Sequence, residues 1–234
     1  MSTFLELCQM AARESGTISG VQPATTVDQS GRLAKVCHWV NQAWNRIQLH
    51  REHWSWMRKE FSAPTIAGIA TYTPAGWSIN DLARWLVDQN SSGYLPVTLY
   101  KTATGVVDEG EIHQIPYEEW RSKYGRGSQT NNRPIEYSIA PDNSFLLGPI
   151  PDDIYTVRGE YFRSPQVFAA DADIPEGLPS HFHDIIAWRA VLLLAEHDEA
   201  VTQIATAASN YQSLLSTLER DTLPKVSLGV TALA

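Results

Sequence analysis

Apolar residues return at helical spacing at the start of the chain, at Phe4, Leu5, Cys8, Ala11 and Ala12, and the pattern stops at Ser15 and Gly16. This predicts a short first helix. The stretch from Gly16 to Thr26 is rich in Gly, Thr, Ser and Pro and reads as a loop. Leu33, Val36, Cys37, Val40, Trp44 and Ile47 then restore the period of 3.6, which predicts a long second helix over residues 29–56. From Phe61 the pattern changes to short runs of strand formers, with Thr65, Thr71 and Tyr72 punctuated by Pro64, Gly68, Pro74 and Gly76.

Leu95, Val97 and Leu99 alternate on one face, and Tyr155, Val157 and Tyr161 do so later. Residues 134–140 and 144–147 suggest a hairpin around Pro141, Asp142 and Asn143. A short helix over Tyr117–Tyr124 interrupts the strands. Helical character returns after Leu178 and Pro179, with Ser180 as the candidate N-cap, Asp184 in the first turn, and a core face of Phe182, Ile185, Ile186, Leu193 and Leu194. His197, Asp198 and Glu199 mark a turn or kink. A last helix then carries Val201, Ile204, Ala208, Tyr211, Leu215 and Leu218 and ends at Pro224.

Helices, then strands, then helices, without an internal repeat, define an α+β protein. The expected architecture is a helical bundle from the N- and C-terminal segments with an inserted antiparallel β region. Residues 1–60 supply the first bundle helices, 61–177 the insertion, 178–221 the last helices, and 222–234 a C-terminal arm. In that arm Val226, Leu228, Val230 and Leu233 alternate with smaller or polar residues, and only Lys225 carries a side-chain charge. An extended segment of this kind can add a strand to a partner's sheet edge, so these residues and Leu223 are expected to bind a partner.

Composition narrows the function classes. A hydrophobic content of 43% suits a globular core, and the apolar stretch 187–195 is too short to cross a bilayer. The Met1 end has no basic flank followed by an apolar run, so no secretory signal is expected and the chain should fold in the cytoplasm. Cys8 and Cys37 lie on apolar helix faces, where a disulfide is not expected in a reducing compartment. A net charge of −8 with few, scattered lysines argues against a protein whose main task is gripping nucleic acid.

Catalytic or metal chemistry finds little support. Gly125, Arg126 and Gly127 resemble a fragment of a dinucleotide loop but lack a third glycine and a following helix. His181 and His183, two apart on a helix, point about 200° apart and cannot share a metal. His50 and His53, three apart on the second helix, have no third ligand at matching spacing. Residues 196–199 read as a solvated helix end, neither cysteine has a basic neighbour, and no nucleophile elbow or P-loop occurs. No cofactor is expected.

The eight tryptophans do change the picture. Trp39, Trp44, Trp54 and Trp56 fall within eighteen positions, more than one bundle face buries, so Trp54 and Trp56 are expected to touch a neighbouring element or subunit.

The stretch His53–Pro74, a tryptophan-rich helix end running into strands, resembles the corresponding passage of the head-to-tail adaptor proteins of tailed bacteriophages, including the tail tubular group. Residues 133–151, then 155–162, then 173–179 leading into a helix, resemble the same family. That resemblance implies a dodecameric ring at the head-tail junction of the virion, assembled in the host cytoplasm. The ring would bind the portal protein above and a tail or nozzle protein below, with genomic DNA passing through its bore. The alternatives are another head-completion or stopper protein, and a small-molecule or metal enzyme with a dispersed site.

Overall fold

The computed structural model describes residues 1–17, 22–87 and 96–223. In chain order the elements are α1 (Phe4–Glu14), α2 (Gly31–Gln48), β1 (Arg58–Pro64), β2 (Thr71–Tyr72), β3 (Leu82–Trp85), β4 (Thr98–Lys101), β5 (Gly110–Glu111) and β6 (His113–Gln114). They continue with α3 (Tyr117–Lys123), β7 (Glu136–Ile139), β8 (Phe145–Gly148), β9 (Tyr155–Arg163), α4 (Asp184–His197) and α5 (Val201–Thr222). The chain forms two compact units, one of Met1–Met57 with the chain from Pro165 onward, the other of Arg58–Ser164. The α+β class is as the residue pattern predicts.

The helical unit is organised by α4. Its Ile185, Ile186, Ala187 and the whole run Ala190–Ala195 are buried, so it is apolar around nearly its full circumference and needs partners on every side. α1, α2 and α5 supply them. α1 starts at a capping box the sequence analysis passed over: the Glu6 amide donates to Thr3 Oγ1 (3.2 Å) and the Thr3 amide to the Glu6 carboxylate (2.9 Å).

α2 stops at Gln48, well short of the expected residue 56. The chain folds back there, and the Trp54 indole N–H donates to the Ile47 carbonyl at 3.0 Å, satisfying one of the last-turn acceptors that a helix end leaves open. Trp54 continues the apolar spacing of α2 because it packs against that helix from beyond its end. His50 and His53 therefore do not lie on one helix face; His50 Nε2 instead lies 3.1 Å from Glu219 Oε1.

The expected boundary at residue 177 also moves. Residues 165–177 lie in the helical unit, because Gln48 and Gln166 exchange two hydrogen bonds (2.8 and 3.0 Å) and Asn41 clasps the Phe168 backbone on both sides (2.9 and 3.2 Å). Ser180 makes no cap. It opens a short 3-10 turn, and α4 begins at Asp184. His183 is buried there; its Nδ1 accepts from the Ser2 amide (3.0 Å), which leaves Nε2–H to donate to the Leu178 carbonyl (3.1 Å).

In the β unit, β9 is central: it pairs antiparallel with β1 along one edge and with β4 and β3 along the other, and β5 extends β4. A second sheet runs β2-β8-β7-β6, antiparallel except for β6 on β7. The β7–β8 hairpin turns at Pro141–Asn143 as expected, with Asn143 at φ 64° and Asp142 accepting from the Ser144 amide and hydroxyl (3.0 Å each). Leu95 lies outside the described residues, while Val97 and Leu99 do face the core.

That core is aromatic: Phe61, Tyr72, Trp85, Tyr137, Phe145, Tyr155 and Tyr161 are buried with Leu99, Leu147 and Val157. Gly159 sits directly opposite Phe61, and a Cβ there would come within 2.8 Å of the Phe61 ring. Close approach of that ring requires the glycine.

Ile186→Ala, at a fully buried site on α4, should destabilise the protein by about 2–5 kcal/mol. Val201→Ala, at an exposed site, should change stability by no more than about 0.5 kcal/mol. Urea unfolding followed by far-UV circular dichroism measures both.

Candidate functional site

Of the residues expected to bind partners, the structure describes Trp54, Trp56 and Leu223. Trp54 is fully buried; Trp56 is half-buried on a 3-10 turn, Ser55–Met57, and its ring stacks on Trp44 (5.5 Å) and Trp54 (5.6 Å). With Phe168 on the far side of Trp44 (6.0 Å) and Phe4 beyond it (5.0 Å), these rings make a continuous column inside the helical unit. The Trp44 indole N–H reaches Gln166 Oε1 at 3.2 Å, whereas Trp56 Nε1 is buried with no hydrogen-bond partner among the described residues. Leu223 caps α5, its amide donating to the Glu219 carbonyl at 3.0 Å with its own backbone already extended. Val226, Leu228, Val230 and Leu233 lie outside the described residues.

The β unit exposes a feature that the sequence analysis missed. Ile66, Ile69, Val106, Val107 and Ile154 are 42–93% exposed, and all sit in loops at one end of the first sheet, where β1 and β4 end and β9 begins. Backbone hydrogen bonds tie these loops to one another: the Thr65 amide to the Tyr155 carbonyl (2.7 Å), and the Thr102 amide to that of Ile154 (3.0 Å). Exposed apolar residues gathered at one place can serve as a contact surface. The signal was present in the sequence as β-branched residues inside turn segments, Ile66 to Ile69 and Gly105 to Asp108, where polar residues are the rule.

The solvent face of the same sheet is charged in both signs. Glu60, Thr98, Glu109, Arg158 and Glu160 line a shallow groove. Arg158 lies 3.5 Å from Glu109, Thr98 donates to Glu109 (2.6 Å), and Arg58 pairs with Glu160. Glu109 and Glu160 are thus each engaged with an arginine.

The loop behind the apolar end is held by Arg133. Its guanidinium pairs with both Asp108 carboxylate oxygens (2.7 Å each) and donates to the carbonyls of Asp108 (2.7 Å) and Leu99 (3.3 Å). The Arg133 bonds, followed by a bond from the Lys101 amide, hold the Asp108 carboxyl below its ordinary value. At the same end, burial and then the hydrogen bond to Asp152 push Tyr155 up to about 12.

Among the described residues, no group of three or more His, Cys, Asp or Glu side chains is arranged to hold a metal ion, and no helix is long and apolar enough to cross a membrane.

What the β unit presents among the described residues is a set of exposed apolar loops and a charged sheet face. The chain belongs to the SU10 adaptor protein family, whose model matches residues 2–230. It is therefore a phage adaptor protein, a structural component of the virion that interacts with other phage head or tail proteins. No curated protein matches the chain.

Because the folded value of Asp108 is depressed, its pairing with Arg133 contributes fully above the unfolded value of 3.8 and is lost as pH falls through the folded value. Thermal melts between about pH 6 and pH 2 should show stability falling on the acid side, and Asp108→Asn should flatten that limb while lowering the plateau. An unchanged acid limb would show that the pair is not part of the acid response.

Proposed function

We propose that the protein is a head-to-tail adaptor of the tail tubular kind. It forms a dodecameric ring between the portal protein and the tail or nozzle protein, and genomic DNA passes through the bore without specific binding. The observation that carries this reading is the family match across nearly the whole chain. The apolar loops of the β unit support it, since a ring component needs protein-facing surface on more than one side. So does the charge: twelve copies at −8 each would carry about −96 before counterions, a field that disfavours phosphate contacts and leaves DNA free to slide.

In this reading the arm from Thr222 docks on the portal or a neighbouring copy through Leu223, Val226, Leu228, Val230 and Leu233, and Trp56 lies near a subunit boundary with Trp54 supporting it from within. α5 ends in an extended residue, and the apolar alternation follows directly, which suits strand addition to a partner.

A chain truncated after Asp221 should remain folded and soluble yet fail to co-purify with portal, as measured by affinity capture and native mass spectrometry. Unchanged portal capture would sink the arm's role. A cryo-electron microscopy map of the portal complex tests the ring itself, and a bore lined mainly by Arg and Lys would refute the electrostatic account.

A further inference from the structure

Among the described residues, β1 is the longest strand with an open side. Its seven residues pair with β9 along one edge, and no described strand pairs with the other. The remaining strands with an open side, β2, β3, β5 and β6, have two to four residues each. The Thr65 amide donates to the Tyr155 carbonyl (2.7 Å), which fixes the phase of the ladder. Lys59, Phe61 and Ala63 turn their backbone groups toward β9, and Arg58, Glu60 and Ser62 turn theirs outward. At Pro64 the open edge ends, since proline has no N–H and its carbonyl accepts from the Trp77 indole (3.2 Å). The outward N–H and C=O groups of Arg58, Glu60 and Ser62 stand in a row, a template for a further strand.

We propose that residues 224–234 of one copy add a strand to this edge in the neighbouring copy. The proposal rests on the ring reading above and deepens it by naming what the arm binds. The side-chain patterns of the two partners match. On β1, Phe61 and Ala63 are buried toward the core, while Glu60 and Ser62 are exposed on the solvent face. In the arm, Val226, Leu228 and Val230 share one parity, and Lys225, Ser227 and Gly229 the other. An added strand therefore lays its apolar residues beside Phe61, near the half-buried Trp77 ring that stacks on Phe61 (5.7 Å) and Tyr72 (4.9 Å). Its polar set falls on the face of Glu60.

Charge and length agree. Arg58 pairs with Glu160 and Lys59 with Asp81, whereas Glu60 makes no salt bridge among the described residues, and Lys225 is the arm's only charged side chain. Eleven residues, 224–234, follow Leu223 in this sequence. At about 3.3 Å per residue they can leave α5, which already ends in an extended residue, and still run the length of the open edge at residues 58–62. Each copy gives an arm from its helical unit and receives one on its β unit. The contact is therefore heterologous and repeats from copy to copy, the kind that closes a ring.

Two complementary variants test this. One ends at Leu223, so it lacks the arm and keeps the edge. The other keeps the arm and carries Ser62→Pro, which removes an outward N–H and leaves the β1–β9 ladder bonds in place. By analytical ultracentrifugation the full-length protein should self-associate, each variant alone should be monomeric, and their mixture should form a one-to-one pair. A fluorescently labelled peptide of residues 224–234 should bind the truncated protein, and the binding should be lost when Ser62→Pro is added. Circular dichroism checks folding. Should Ser62→Pro fail to fold, Glu60→Lys, which sets a like charge against Lys225, takes its place and should weaken both associations. A mixture that stays monomeric overturns the proposal, as does a monomeric full-length protein that excludes the peptide, because its own arm then fills the edge. Self-association that survives the edge substitution removes this contact and leaves the ring reading standing, whereas a portal complex without a ring removes that reading itself.

Discussion

The pairing of β1 with β9 is the constraint on which the β unit depends. The chain enters that unit at Arg58 and leaves it after Ser164, and Arg58 lies opposite Phe162 in an unbroken register that runs to Pro64 opposite Thr156. Entry and exit are therefore adjacent strands, and the intervening residues form a closed excursion whose ends are fastened to each other. The fastening is reinforced on both faces. Arg58 pairs with Glu160 on one, while Lys59 (2.6 Å) and Tyr161 (2.8 Å) meet on Asp81 on the other. The contribution of each exposed pair is small, and the backbone ladder with the Phe61–Gly159 packing carries the joint.

With that joint made, the rest of the sheet follows from β9. Being central, it must bury both edges, and it recruits β4 and β3 to the edge that β1 does not occupy. Its core-facing residues Tyr155, Val157 and Tyr161 then need a facing layer, which the β7–β8 hairpin supplies through Tyr137, Phe145 and Leu147. α4 plays the equivalent part in the helical unit. A helix apolar on all sides cannot stand at a surface, so α1, α2 and α5 each cover one side of it, and residues 165–177 seal α2 through backbone bonds to Gln48 and Asn41.

What could be read from the sequence was local. The α3 helix, the hairpin at Asp142 and the start of α5 at Val201 are each written in a few adjacent residues, and the structure places them where the pattern does. The end of α2 was not legible, because Trp54 keeps helical spacing with Ile47 while packing from a turn; periodicity cannot tell a helix from a chain that folds back on one. The Ser180 signature is a sound cap motif, defeated by a 3-10 turn and by His183, whose two hydrogen bonds reach residues far apart in sequence. Strand order was equally out of reach, since β9 finds partners from three distant segments. For the contact surfaces, the arm's alternation was visible, but the apolar end of the β unit emerges only when three separate loops are brought together.

The charged groups follow one logic. Asp108, Asp153, Asp171, Asp173 and Asp198 all sit below the ordinary carboxylate value because side chains or amides of nearby loops donate to them, led respectively by Arg133, Lys101, Thr26, the Ala170 amide and His197. Lys101 is displaced upward by the same contact with Asp153 that lowers its partner. Each shift moves the group further from neutral pH and locks in its charged form, whereas proton transfer calls for a value near the working pH. Every one of these contacts fastens a loop: Asp108 the turn before β5, Asp171 the stretch at Thr26, Asp198 the link between α4 and α5. Loops fastened by groups that stay charged at neutral pH keep one geometry there.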